Sequence, residues 1–489
     1  GGLMSYLDLT IKEIHEALKE GKVTPVQLTE EAIERVKADE CNAFEALDFE
    51  GALKAAKELV FDPNELLSGI PFLAKDNFST KGIETTASSN ILNGYVPLYD
   101  AEVIKRLKDH GAILIGKTTL DELAMGGTGT TGHKGVTTNP YDHERLIGGS
   151  SCGSCAAVAA GVVPFALGSD TGDSVRKPAS LGGLVGFKPT WGRVSRYGLF
   201  PFATSMDAIG WFTRSVYDSA YLTKILSGHD NKDMSSSYEE VKDYVSEISK
   251  DTNSKTIGYF KKLVNGIKDQ NIVNKYYEIL DALKAQGYKI ENYDFPEELL
   301  NALYPTYMVI SCSEATSNNA NLDGIRFGPT CKDNVEDYRQ FINHCRTAGF
   351  SDLIKRRFVI GSFSLLSENQ EELFRRAQKA RRLIVEELKN FFEKCDYLVL
   401  PAAQSIAGFI KDVQTKWTDK PDYIDNHLGL ANLAGLPSLT IPMGLENGLP
   451  YGINITCKAF DESNTLNLGQ KIEDITGLKN LSVNNKEGK

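Results

Sequence analysis

The 489-residue sequence has no run approaching the ~18 consecutive apolar residues that a membrane-spanning helix needs, which excludes an embedded helical protein. It also lacks a Pro/Ser-rich linker or low-complexity tract, so one large domain accounts for its length as well as two to four smaller ones. The N-terminus has neither the basic nor the apolar part of a signal peptide. Gly1-Gly2-Leu3 ahead of Met4 reads as a cloning remnant, and the chain is expected in the cytoplasm. Excess basic charge is missing too: 54 Lys and Arg stand against 65 Asp and Glu, a net charge of −11. Apart from a local patch at Lys355-Arg356-Arg357, such a chain is not built to grip a phosphate backbone alone, and nucleic-acid contact is expected to run through a partner. Its eight cysteines are scattered, as in a reducing compartment. Cys152-x-x-Cys155 is the one close pair; without a second pair or a nearby His it reads as two small buried residues, and no metal is expected.

What is present centres on Gly148 to Thr190, GGSSCGSCAAVAAGVVPFALGSDTGDSVRKPASLGGLVGFKPT, where two Ser-bearing polar loops flank a small apolar segment. Cys152 to Gly161 is Ala-rich enough for a short helix, and Val162 to Leu167 for a strand. Ten helical residues advance roughly 15 Å and five or six strand residues return roughly 17 to 20 Å, so the second loop comes back beside the first. Ser150 and Ser174 can therefore share one pocket, with Gly172 freeing the backbone to aim N–H groups at an oxyanion. A serine nucleophile needs a base, and this stretch contains no His. Upstream, GIPFLAKDN runs from Gly69 to Asn77 and delivers Lys75 from an apolar run into a polar turn, where desolvation can lower its pKa enough for it to act as base.

LAKDN, GGSSCGS and GSDTGDSVRKPAS, in this order and spacing, resemble the amidase signature family. The resemblance implies a Ser-cisSer-Lys triad, with Ser174 as nucleophile, Ser150 as the bridging cis serine, Lys75 as base, and the N–H groups of Thr171, Gly172, Asp173 and Ser174 as oxyanion hole. It implies an α/β amidase signature fold: a large mixed central β-sheet covered by helices on both faces, in a single compact domain over residues 4–480. An N-terminal helical layer at about 8–60, a core at about 65–230, a variable segment at about 230–300 and a flexible tail at 481–489 are expected within that plan.

Along the chain, TIKEIHEALKEGKVTPVQLTEEAIERVKADE from Thr10 reads as two amphipathic helices separated at Gly21, with His15 on a solvated face. Ala101 to His110 reads as a helix and Ala112 to Gly116 as a strand, a β-loop-α alternation that fits an α/β core. The 230–300 segment is motif-poor, ending in a helix-like Val273 to Gln286 and a strand-like Lys289 to Tyr293.

GFKPTWGRVSRYG from Gly186, MDAIG from Met206, and LDGIRFG from Leu322 are similar to one branch of the family, the A subunits of glutamyl-tRNA(Gln)/aspartyl-tRNA(Asn) amidotransferases. That branch implies a glutaminase working with B and C subunits in a heterotrimer. The chain itself would need no cofactor; ATP and magnesium would act at the partner subunit on misacylated tRNA. A free amino acid needs a cation for its carboxylate, an anion for its ammonium and an aromatic or hydroxyl wall. The resemblance puts Arg357, or Arg356, on the carboxylate of glutamine, Asp425 on its ammonium, Tyr307 at the wall, and Met125 with the surrounding Leu120–Thr130 loop along the pocket.

Other chemistries fit less well. Gly149-Ser-Ser-Cys-Gly153 matches the G-x-S-x-G elbow of α/β-hydrolases, but the preceding Asp142 to Ile147 is mostly polar, and His229, His344 and His427 have no catalytic setting in the sequence. Neither Cys152 nor Cys155 has a thiolate-stabilising cation beside it, as a cysteine glutaminase would need. No Gly-Lys-Ser/Thr follows the glycines, as a phosphate loop requires. A stand-alone amidase and a weakened scaffold paralogue remain as alternatives. The latter is motivated by Cys152 and Asp173, which stand where the family usually has Gly. The Asp173 side chain is expected to turn outward, toward solvent or Arg176 and Lys177.

Overall fold

The apolar segments spread along the chain converge on one mixed sheet. In the computed structural model, which describes residues 5–413 and 422–488, eleven strands are bonded edge to edge. Their spatial order is Phe44–Leu47, Ile113–Thr118, Pro71–Lys75, Ala166–Asp170, Ala208–Thr213, Val185–Lys188, Ser438–Glu446, Leu449–Thr456, Tyr397–Pro401, Thr256–Tyr259 and Lys289–Asn292. Gly1-Gly2-Leu3 lies outside the described residues.

Pleating sends alternate residues to opposite faces, and helices cover both. Thr440 and its cross-strand partner Gly186 face the helix Arg176–Gly182; a Cβ on Gly186 would lie 2.5 Å from that of Ala179. Leu439, one residue earlier, packs on the helix Glu462–Thr476, where a Cβ on Gly469 would meet its side chain at 2.5 Å. This is the expected two-faced α/β arrangement.

The strand Pro71–Lys75 is buried throughout and runs parallel to Ile113–Thr118 on one side and Ala166–Asp170 on the other. Lys75 and Asp170 end two of these strands at the same edge, the edge where ligands of open parallel sheets bind.

The N-terminal layer consists of the helices Ile11–Lys19 and Pro25–Lys37, each opened by a capping box, Thr10 with Glu13 and Thr24 with Gln27. The first is pinned by Asp218, whose carboxylate accepts from the N–H of Ile11 at 2.8 Å and of Lys12 at 3.3 Å. His15 is not on a solvated face. It is buried, with Nε2 3.0 Å from the Pro63 carbonyl, because 11, 14, 15 and 18 share one helical stripe.

Three other expectations shift. The strand read at 162–167 begins only at Ala166, since Pro164 has no N–H to give a ladder and Gly161 closes the preceding helix at φ +78°. The motif-poor 230–300 segment forms the far edge of the sheet, its helix spanning Gln270–Ala285 and its last strand Lys289–Asn292. The expected tail packs down instead: Leu481 is buried, the Val483 N–H donates to the Ala159 carbonyl at 3.0 Å, and Asn484 donates to Asp8 at 2.8 Å.

Candidate active site

Lys75 is completely buried, and its Nζ lies 2.7 Å from Ser150 Oγ, 2.9 Å from Ser151 Oγ, 2.9 Å from Ser169 Oγ and 3.3 Å from the Ser169 carbonyl. Burial pushes its pKa down from 10.5 to about 7. The surrounding hydroxyls orient the amine. Ser151 Oγ gives its own proton to the Ser169 carbonyl at 3.0 Å, so it can only accept from Lys75. Ser169 Oγ already accepts from Asn77 Nδ2 at 2.9 Å and can accept from Nζ as well. A neutral amine that donates to these two oxygens has its lone pair left for Ser150, the nearest of the four. That is the geometry of a base waiting for the Ser150 proton.

Ser150 follows a cis peptide bond from Gly149. No larger residue fits at Gly149, where a Cβ would stand 1.9 Å from Asp121 Oδ2. Asp121 organises this side of the site. Its carboxylate accepts from the N–H groups of Gly129 at 2.9 Å and Thr131 at 3.1 Å, and its own N–H donates to the Ser150 carbonyl at 3.1 Å.

Ser174 is buried at the end of the second loop, where its carbonyl accepts from the Ser151 N–H at 3.2 Å. Arg176 holds that loop from behind. It pairs twice with Asp170, at 3.1 Å each, and donates to the Gly172 carbonyl at 3.1 Å and Asn432 Oδ1 at 2.6 Å. Burial alone would raise the Asp170 pKa, but the guanidinium and these bonds bring it down to about 2. Among the described residues, no hydrogen bond consumes the N–H groups of residues 171–174. They remain available to an oxyanion.

Beside this loop lies a cavity of about 250 Å³, lined in part by Gly126, Gly127, Thr128, Asp173, Tyr307 and Arg357. Tyr307, on the helix Glu297–Asn318, closes over Gly172 so tightly that a Cβ there would lie 3.0 Å from its ring; burial raises its phenol pKa. The two neighbouring arginines separate cleanly. Arg357 reaches the cavity, and its Nη1 is buried without a hydrogen-bond partner, whereas Arg356 is exposed.

Other assignments move. Met125 is buried and does not line the cavity; the residues that follow it, Gly126, Gly127 and Thr128, do. Asp425 does not border the cavity; its neighbour Asn426 does, while the Asp425 carboxylate accepts from Gln404 Nε2 at 2.6 Å. Asp173 has Lys177 and Arg176 near enough for their charges to act on it, as expected, but it faces the cavity and not open solvent. Burial lifts its pKa from 3.8 to about 6. Ser151, Ser169, Asn77, Asp121 and Tyr304 went unread as site residues. The hydroxyl of Ser169 falls on the strand adjacent to Lys75, a pairing visible only once strand order is known.

The excluded chemistries lack a suitable setting. Cys152 and Cys155 are buried, and desolvation pushes the Cys152 thiol up to about 12 and Cys155 well above its usual value. His427 is buried with both ring nitrogens 2.8 Å from main-chain carbonyls of Ile424 and Pro401, a structural setting. Asp142–Leu146 is a half-exposed strand of a two-stranded sheet, unlike the core strand that precedes a nucleophile elbow.

The amidase family model matches residues 27–466. The chain belongs to the amidase family. Among its amidase relatives, the A subunit of glutamyl-tRNA(Gln) amidotransferase from Pediococcus pentosaceus is 38% identical over 97% of this chain and 98% of that protein. The protein of the same name from Halalkalibacterium halodurans is 40% identical over 97% of this chain and 98% of its own length. Two solved amidase structures superpose closely. The A subunit of glutamyl-tRNA(Gln) amidotransferase from Thermotoga maritima has a TM-score of 0.81 and 33% identity, covering 100% of this chain and 99% of that one. A peptide amidase from Stenotrophomonas maltophilia has a TM-score of 0.80 and 27% identity, covering 96% of this chain and 97% of that one.

Proposed function

We propose that this amidase is the glutamine-hydrolysing subunit of a tRNA-dependent amidotransferase. Ser174 Oγ attacks the side-chain amide carbon of glutamine, passing its proton through Ser150 to neutral Lys75, while the N–H groups of residues 171–174 receive the oxyanion. The proton returns to the leaving nitrogen, ammonia departs, and water, activated by the same Ser150–Lys75 relay, frees glutamate from the acyl-enzyme. Arg357 takes the substrate carboxylate and Tyr307 forms the wall beside it. The ammonia passes to a B subunit, which uses ATP and magnesium to activate Glu-tRNA(Gln) or Asp-tRNA(Asn), with a C subunit completing a cytoplasmic heterotrimer. Within the described residues no helix is long and apolar enough to cross a membrane.

The observation that carries the chemistry is the buried Lys75 amine 2.7 Å from Ser150 Oγ, with its other neighbours already committed. The near-full-length similarity to the A subunits of glutamyl-tRNA(Gln) amidotransferases supports the assignment to glutamine and tRNA. The test is Ser174→Ala in the assembled complex. Glutamine-dependent amidation is expected to fall by several orders of magnitude, on the scale of the ~10⁴ to 10⁶ losses in triad hydrolases, while ammonia-dependent amidation survives. Retention of more than about a tenth of the glutaminase activity rules Ser174 out as nucleophile. Purification of the native chain alone, with better turnover of simple amides than of glutamine, would instead favour a stand-alone amidase.

A further inference from the structure

Resting on the glutaminase reading, we propose that Asp173 is the specificity-determining anion that holds the ammonium of the substrate amino acid. The cavity presents two groups with unmet demands. Arg357 Nη1 is buried without a partner, and no hydrogen bond or ion pair among the described residues engages the Asp173 carboxylate. An α-amino acid carries the two complementary charges on one carbon. Asp425 is less suited, since its carboxylate is already engaged by Gln404 and lies outside the cavity wall. The remaining titratable groups facing the cavity are Lys177, Tyr304 and Tyr307. Lys177 Nζ donates to the Asp425 carbonyl at 3.2 Å and acts on Asp173 through its charge without a hydrogen bond or ion pair, and the Asp170 carboxylate behind the loop is saturated by Arg176. Asp173 is thus left to the ligand.

The position also explains how an acidic residue is tolerated beside an oxyanion hole. An empty site carries a carboxylate next to the place where negative charge develops. A substrate that brings its own ammonium neutralises that carboxylate before the oxyanion forms; an amide lacking one does not. Asp173 then binds glutamine and discriminates against amides without the α-ammonium in the same interaction.

Steady-state hydrolysis by the assembled complex, with glutamine and with glutaramate, the same amide lacking the ammonium, tests this. Asp173→Asn is expected to raise the KM for glutamine about 10- to 100-fold, as for loss of a charged hydrogen bond of about 1.5–3 kcal/mol. The same substitution should leave glutaramate unchanged or improve it. Asp425→Asn should have the smaller effect on glutamine. Selectivity that survives Asp173→Asn, or a larger KM effect from Asp425→Asn, overturns the assignment. A wild-type complex that does not prefer glutamine at all overturns the glutaminase reading, and this assignment with it.

A separate observation carries a second site. Cys331, Asp333 and His344 place a thiol, a carboxylate oxygen and a ring nitrogen all within 4.8 Å of one another, far along the chain from the triad. His344 Nδ1 is 3.0 Å from Asp333 Oδ2, and Cys345 Sγ accepts from the Cys331 N–H at 3.2 Å, fixing the loop against the helix Tyr338–Gly349. We infer that these three side chains bind a borderline-soft divalent cation, with Zn²⁺ the best match to a sulfur, nitrogen and oxygen set and water in the fourth position. Ligands about 2.0–2.3 Å from one zinc lie some 3.3–3.8 Å apart, so closure needs side-chain shifts of about 1 Å.

The full chain, reduced and freed of metal, is titrated with Zn²⁺ against a chromophoric chelator, and with Co²⁺ for the absorption of a tetrahedral site. One equivalent is expected, weakened at least about tenfold in Cys331→Ser and in His344→Ala, with glutaminase activity of the complex unchanged. Absence of stoichiometric binding at micromolar Zn²⁺, or binding that persists in both variants, overturns the site.

Discussion

The pH dependence of glutamine hydrolysis is the sharpest consequence of a lysine base. Burial lowers the pKa of Lys75 from 10.5 to about 7, a change of 3.5. At ~1.36 kcal/mol per pH unit that is about 5 kcal/mol against the charged form, an order-of-magnitude figure that needs no discount for solvent because the side chain is fully buried. At pH 7.5 about three quarters of the enzyme then holds a neutral amine, against about one molecule in a thousand for an ordinary lysine. Since only the neutral form accepts the Ser150 proton, kcat/KM should fall about tenfold between pH 8 and pH 6, and level off above pH 8. Lys75→Arg keeps the size and charge but cannot deprotonate, so activity should fall by several orders of magnitude at every pH. Asp173, with a pKa of about 6, also titrates nearby, so the profile is repeated in Asp173→Asn, where the limb near pH 7 should remain. The measurement is steady-state glutaminase kinetics of the complex from pH 5.5 to 10. A limb that continues rising past pH 9, or a Lys75→Arg enzyme within about tenfold of wild type, would refute the reasoning.

His427→Gln and His344→Gln should leave that acid limb in place, because neither ring touches the triad; a shift in either pH profile would revive a histidine mechanism. Asp173 should also be visible in stability. Its pKa is raised from 3.8 in the unfolded chain to about 6 in the fold, so the folded state binds more protons in that window and its contribution is lost as pH rises from about 4 to 6. The 2.2-unit difference is at most about 3 kcal/mol, so the apo Asp173→Asn protein should melt higher than wild type at pH 7 and no higher at pH 4. Equal melting shifts at both pH values would contradict a desolvated carboxylate. Gly149→Ala should abolish hydrolysis and cost about 1–3 kcal/mol of stability, since the new methyl would meet Asp121 Oδ2 at 1.9 Å; an active, normally stable variant would show that the Asp121 loop yields freely.

The sequence by itself determined the elements that depend on local chemistry. An apolar run ending in one lysine reads as a buried segment that delivers the lysine at its end, and Pro71–Lys75 is a fully buried strand that does so. Small residues around Ser150 and Ser174 signal close backbone approach, and the loops do meet at the Ser151–Ser174 hydrogen bond. The close pair Cys152 and Cys155 reads as two small buried residues, and both are buried. What only the tertiary structure decided depends on contacts between distant segments. Ser169 reaches Lys75 because two parallel strands lie side by side, a pairing that no local spacing encodes. Arg356 and Arg357 are equivalent in sequence, but helical rotation turns just one into the cavity. Asp425 lies one residue away from the cavity lining for the same reason, and Met125 is buried one residue before it. Asp173 shows the limit most clearly: a charged residue in a turn reads as solvated, yet Tyr307, contributed from more than a hundred residues away, closes over the loop and makes it a wall of the site. Burial belongs to the assembled packing, and the chemistry of a charge follows its burial.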